Sequence, residues 1–331
     1  MEETAELLEK GRALKLKVLG SYSFVASIDT GGAGNMKAAV LADIHGNYKA
    51  LEVCLKYARE QGAEQYLFLG DYLGELPYPE RTMDLLYDWQ TQHCCTFVKG
   101  NKENYWLGCG RGFEKSWIYG NSTTGTFLYQ YEHLREKDLT FFRQLPITYK
   151  MKELPAIMLC HGSPRNVKEE IRRLDENTIK LIEECEAEII LCGHTHRRMT
   201  LEHNGKVVYN PGSVGIPLES GSRAQFMLLH KEQGWWKPEF VDLEYDVEQV
   251  ISDMYKAGLD KYAPYWCKST ELLLRTGKIS NGQMLGRVMQ LCQQEEGECS
   301  WPHIPEKYWE QVVEQAYQEV LETGSNTRVN I

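Results

Sequence analysis

Five short apolar runs, each stopped by a turn that carries Asp, Asn or His, are the tightest constraint on what this chain can fold into. Ala38 to Leu41 runs into Asp43-Ile44-His45-Gly46-Asn47, Tyr66 to Leu69 into Gly70-Asp71, and Thr96 to Val98 into Gly100-Asn101-Lys102-Glu103. Ala156 to Cys160 ends at His161-Gly162, and Ile189 to Cys192 at Gly193-His194-Thr195-His196. Runs this short and this apolar suit strands buried on both faces, as in an α/β sheet covered by helices. Tyr48, Leu51, Leu55 and Ala58 follow the first run at helical spacing, which predicts a βα unit with Asn47 as the helix N-cap.

After Gly193 the pattern turns to antiparallel β. Met199 to Leu201, Lys206 to Tyr209, Gln225 to His230 and Phe240 to Leu243 are short strands separated by turns such as Asn204-Gly205, so mixed sheets are expected. From Asp246 the chain reads as helical. Its last helix sets Trp309, Val312, Val313, Ala316, Tyr317 and Val320 on one face, a stripe expected to pack on the main domain, with a homodimer interface as the alternative. The reading is therefore a domain over 36–245 with a helical, aromatic insertion at 104–146 capping the site, and a helical extension over 246–331. Residues 1–35 fit none of this, and read either as a loosely held arm or as sequence upstream of a natural start at Met36.

Open α/β sheets bind ligands at the carboxyl ends of their strands, so the five turns should converge there. Imidazole, carboxylate and amide donors suit Mn, Fe, Zn, Ni or Mg better than thiolate-preferring metals. Two such ions roughly 3.5–4 Å apart can share a bridging carboxylate. Side chains at i and i+2 project to the same side, so Asp43 and His45 can chelate one ion, while His194 and His196 reach across two. His93, His133, His203, His230 and His303 stand outside any such pattern and read as ordinary hydrogen-bonded residues.

Charge narrows the partners. With 47 acidic against 37 basic residues and a formal net charge of −10, the chain has no cationic excess for a nucleic-acid polymer or an anionic membrane. No apolar run approaches the ~18 residues that cross a bilayer, and the acidic start Met1-Glu2-Glu3 is unlike a secretory signal. Ten Cys without a C-x-x-C pair read as reduced thiols. A cytoplasmic protein is expected.

Taken together, D-x-H, G-D, G-N, H-G and G-H-x-H, in this order and followed by Asn210-Pro211-Gly212-Ser213-Val214, resemble the calcineurin-like metallophosphoesterase superfamily, above all its bacterial and archaeal members. The resemblance covers about Met36 to Asp242. It implies a four-layer α/β/β/α sandwich with the small helical insertion and the helical C-terminal extension as additions. It also implies that Asp43, His45 and His196 bind one divalent metal ion, that Asn101, His161 and His194 bind the other, and that Asp71 bridges. A metal-bound hydroxide would then attack phosphorus in line with the leaving group.

One residue departs from the family pattern. Relatives often carry His after the Asn of G-N, assigned to protonate the leaving group, whereas this chain has Lys102. An ammonium can bind a phosphate oxygen, and could donate a proton only with a depressed pKa, Glu103 then orienting Lys102 or Asn101. Asn101, Lys102 and Asp71 are the candidate catalytic residues. Arg165, Arg197 and Arg198 are candidate phosphate clamps, Asn210 to Ser213 either a tight turn or a phosphate contact, and the aromatic residues of the insertion either a nucleobase platform or a small core. The expected activity is hydrolysis of a phosphomonoester or phosphodiester, with a dinucleoside polyphosphate hydrolase, a protein Ser/Thr phosphatase and a non-catalytic metal-binding scaffold as rivals.

Overall fold

The computed structural model describes residues 36–108, 113–151, 156–232 and 235–325, so the 1–35 arm lies outside the described residues. β1 (Met36–Leu41), β2 (Gln65–Phe68) and β3 (Cys94–Phe97) pair in parallel. β9 (Ala224–Glu232) and β10 (Trp235–Leu243) extend this sheet antiparallel on the far side of β1, in the order β10-β9-β1-β2-β3. A second sheet runs β4-β5-β6-β8-β7. β5 (Ile157–Cys160), β6 (Ile189–Leu191) and β8 (Lys206–Asn210) are parallel, and β4 (Thr148–Lys150) and β7 (Met199–His203) are antiparallel edges.

The absence of alternation in the short runs has a direct cause. Ala38, Val40, Leu67, Leu159, Leu191 and Leu229 fill the space between the two sheets. Their sequence neighbours Ala39, Leu41, Phe68 and Leu228 point the other way, into a core beneath α1 (Tyr48–Glu60) and its neighbours. Those neighbours are α2 (Pro79–Gln92), α3 (Asn101–Leu107), α4 (Gly125–His133) and α5 (Glu136–Gln144). On the outer face of the second sheet, Leu181 and Ile182 of α6 (Glu176–Glu184) pack on Cys160, Ile190 and Val208. Both faces of both sheets are covered, which gives the four layers. At about 1.5–3 kcal/mol for each large apolar side chain buried, these three cores dominate the drive to fold.

The C-terminal helices are α7 (Val247–Lys256), α8 (Leu259–Tyr262), α9 (Pro264–Thr276), α10 (Asn281–Glu296) and α11 (Glu306–Ser325). The apolar stripe of α11 is buried within the chain: Trp309, Val312, Val313 and Ala316 close a core with Trp266, Met284 and Val288 from α9 and α10. A second cluster fuses this region to the main domain, joining Leu76, Ile216 and Leu218 to Val250, Met254, Leu259 and Leu273. No described helix is long and apolar enough to cross a membrane.

Two strands depart from the sequence reading. β4 has only three residues and little apolar character, so it carries no periodic signal. β10 is longer than Phe240 to Leu243 because Pro238, which masks the pattern, sits on an edge strand where no ladder donor is needed.

Candidate metal centre

The five turns meet at one edge of the sandwich, in an unusual backbone state. Asp43 (φ 56°), His45 (φ 52°), Asp71 (φ 53°), His194 (φ 68°) and His196 (φ 56°) all lie in the left-handed region, where a side chain is disfavoured. Such strain clusters where function requires a particular geometry. Backbone hydrogen bonds hold it in place: Asp43 N–H donates to Gly70 O (3.2 Å) and His45 N–H to Asp71 O (3.0 Å). Gly70 (φ 92°) is obligatory, since a Cβ there would fall 2.5 Å from Gly100 N. The Asn210 to Ser213 segment braces the same loops, with Ser213 Oγ donating to Asp43 O (2.8 Å) and Asn210 Nδ2 to Gly193 O (2.6 Å). Asn47 caps α1 through the Ala50 N–H (3.0 Å).

Ligand atoms of Asp43, His45 and His196 lie within 4.8 Å of one another, as do those of Asp43, Asp71 and His161. Asp71 spans the two groups, its Oδ2 3.7 Å from His45 Nε2 and its Oδ1 3.4 Å from His161 Nε2. Asn101 Oδ1 lies 2.9 Å from His161 Nε2. The His194 ring lies beside His161, centroids 5.0 Å apart, and falls outside both close groups.

Tautomers show what the cluster is suited to hold. His161 uses Nδ1 toward Leu69 O (2.8 Å), which turns Nε2 toward Asn101 Oδ1 and the Asp71 carboxylate. His45 uses Nδ1 toward Glu75, which turns Nε2 toward His196 Nε2 at 3.1 Å. Acceptor atoms facing each other across such distances require a proton or a cation between them. Donor set and second partners both fit divalent metal ions.

The field says the same. Burial disfavours charge on His45, but Glu75, Asp43 and Asp71 outweigh it and raise the imidazole to about 10. Burial likewise opposes charge on His161, and Asp71 overcomes it, raising that ring to about 9. His194 is lowered to about 4, by burial and then by His161. Burial pushes the Asp43 and Asp71 carboxyls up, yet His196 and His161 respectively hold them below their usual range. The buried carboxylates that raise these imidazoles favour positive charge among them.

Glu75 was not anticipated from sequence. Buried, it accepts from Lys102 Nζ (2.8 Å) with one oxygen and contacts His45 Nδ1 with the other. The only sequence signal is an acidic residue inside the apolar stretch Tyr72-Leu73-Gly74-Glu75-Leu76. Glu75 also bears on Lys102. Burial lowers the Lys102 pKa, but Glu75 outweighs it and raises it, which favours the charged ammonium beside that carboxylate. Glu103 orients neither Lys102 nor the Asn101 amide. It accepts from the backbone N–H groups of Gly100 (2.7 Å), Tyr72 (3.0 Å) and Asp71 (3.2 Å), locking two of the turns together.

A cavity of ≈ 240 Å³ opens over His45, Asp71, Asn101, Lys102, His194 and His196. Among the described residues none of 104–146 lines it, contrary to a capping role. Of the aromatic residues of that segment, Trp106, Trp117 and Phe127 lie in the core beneath the helices of the first sheet, whereas Tyr119 and Tyr131 are exposed. The outer wall comes instead from Trp266 and Ser280 to Gln283 of the C-terminal region. Arg197 lines the cavity and pairs with Glu219, and Arg172, which sequence did not single out, lines it beside its partner Glu170. Arg165 and Arg198 are engaged elsewhere, with Glu169 and Asp242.

Comparison with known proteins bears on this geometry. A model described as the calcineurin-like phosphoesterase superfamily domain matches residues 36–234, more than half of the chain. A protein of uncharacterised function from Methanocaldococcus jannaschii is 24% identical over 241 residues, covering 68% of this chain and 94% of that one. A metallophosphoesterase structure from Sphaerobacter thermophilus shares the fold at a TM-score of 0.58 and 20% identity, covering 73% of this chain and 99% of that one. A hypothetical protein of Pyrococcus horikoshii does so at a TM-score of 0.63 and 22% identity, covering 74% and 100%.

Proposed function

The chain belongs to the calcineurin-like phosphoesterase superfamily, and on that footing we propose that it hydrolyses a phosphomonoester or phosphodiester at a dinuclear metal centre. In this reading Asp43, His45 and His196 hold one divalent ion, Asn101, His161 and His194 hold the other, and Asp71 joins them. The observation that carries it is the position of Asp71, whose two oxygens face His45 on one side and His161 on the other. When bound, the ions supply Lewis-acid polarisation of the phosphoryl group and an activated water.

The chain's own residues do the positioning. Glu75 fixes the ring of His45 and the ammonium of Lys102 together, and Leu69 O fixes His161. Lys102, mostly buried and held charged, binds a phosphoryl oxygen and contributes where charge develops in transfer. A Lys102 that stays charged does not protonate the leaving group, which favours esters whose leaving group departs as a stable anion, or a proton from another source.

The test is hydrolysis of p-nitrophenyl phosphate and bis-p-nitrophenyl phosphate by metal-stripped protein with Mn, Zn, Ni or Mg added back. Turnover restored by metal and absent from Asp71→Asn supports the proposal, and the preferred ester separates monoesterase from diesterase. Protein that holds two ions and turns over neither ester contradicts it.

A further inference from the structure

One wall of the cavity comes from outside the matched region 36–234: Trp266 on α9 and the first turn of α10, Ser280 to Gln283. This wall is built to stay in place. Trp266 is buried and packs edge-on against Trp309 at 5.6 Å, whose indole N–H donates to Thr123 Oγ1 (3.0 Å). The Asn281 side chain pins the α10 turn to α9, accepting from Ser269 Oγ and donating to Thr270 Oγ1, both at 2.9 Å. Ser280 and Gln283 close the turn with reciprocal capping hydrogen bonds. Ile216 and Leu218 add apolar surface to the same cavity, and both are packed from behind by the C-terminal helices.

Size and lining limit what enters. The ≈ 240 Å³ of this cavity falls below the about 300–1,000 Å³ typical of drug-sized ligands and above the roughly 150 Å³ that accommodates benzene. A phosphoryl group with one ring-sized organic group fits. A phosphorylated loop of a folded protein or a nucleic-acid strand needs a long open groove, which this wall of Trp266 and Ser280 to Gln283 narrows.

We infer that the C-terminal helices are the specificity element of the site, and that the substrate is a small-molecule phosphate ester. Its organic group lies against Trp266, Ile216, Leu218 and the α10 turn. This inference rests on the phosphoesterase reading and deepens it, assigning to the helical extension the selection of the leaving group.

Gly282 offers a clean probe, because a Cβ there would meet only Ser280 Oγ, at 3.9 Å, so a larger side chain has room to enter the cavity without disturbing the fold. Calorimetry on Mn-loaded protein compares phenylphosphonate with methylphosphonate, two non-hydrolysable esters' analogues that differ in the group facing the wall. Wild-type protein should prefer phenylphosphonate by about tenfold or more, the worth of burying one ring. Gly282→Phe should abolish that preference, while Gly282→Ala, the folding control, should keep it. Equal binding of the two phosphonates by wild-type protein, or a preference that survives Gly282→Phe, overturns the inference alone. Binding of neither phosphonate by protein that holds two ions contradicts the phosphoesterase reading and removes the inference with it.

Discussion

Glu75 and Lys102 show how one unexpected carboxylate changes the meaning of a neighbour. Glu75 touches His45 and Lys102 at once, so losing its charge releases both. Glu75→Gln should weaken Mn binding by about 10–100-fold, the usual cost of removing a residue that orients a metal-binding imidazole. Calorimetric titration checks this, and unchanged affinity would mean that His45 needs no support. Lys102→Met should lower kcat/KM for p-nitrophenyl phosphate by about 10–100-fold, the worth of one charge-assisted hydrogen bond. It should also leave the dependence of rate on leaving-group pKa unchanged across a series of aryl phosphates. A steeper dependence in the variant would identify Lys102 as the proton donor after all. The seven proposed ligand positions were legible because each ends an apolar run with an ionisable or amide side chain. Glu75 was not, because its partners are 30 and 27 residues away in sequence and only folding brings them together.

At the scale of elements, strand ends do the work. β1, β2, β5 and β6 were readable because burial on both faces leaves unbroken apolar runs, whereas three-residue β4 and the Pro238-interrupted β10 had no period to detect. Loops that carry the proposed ligands are positioned by contacts that no period in the sequence announces. Gly215 is one: a Cβ there would fall 1.7 Å from Ile44 O, between the Asp43 and His45 side chains in sequence. Gly215→Ala should cost about 1–3 kcal/mol in urea unfolding, the range for overpacking a tight site. It should also lower metal affinity, because the Asp43 to His45 turn must move to make room. Loss of stability with unchanged metal binding would show that the turn holds its shape without that contact.

For the whole molecule, the sandwich and the C-terminal helices share one apolar cluster, through Leu76, Ile216 and Leu218, and share the walls of one cavity. Helical periodicity announced the extension, but the stripe of its last helix, expected on the main domain, packs on α9 and α10, and the docking runs through α7 to α9, since amphipathic stripes state that a face is covered and not what covers it. The proposed function rests on the assembly of both parts around the five turns: left-handed backbone at the proposed ligands, Glu75, Leu69 O and Ser213 behind them, and the C-terminal wall in front. The measurement that tests this most directly is turnover of p-nitrophenyl phosphate as Mn is titrated into metal-stripped protein of known concentration. The account predicts activity that rises to a plateau at two ions per chain. A plateau at one ion, or two ions bound without turnover, would contradict a dinuclear phosphoesterase.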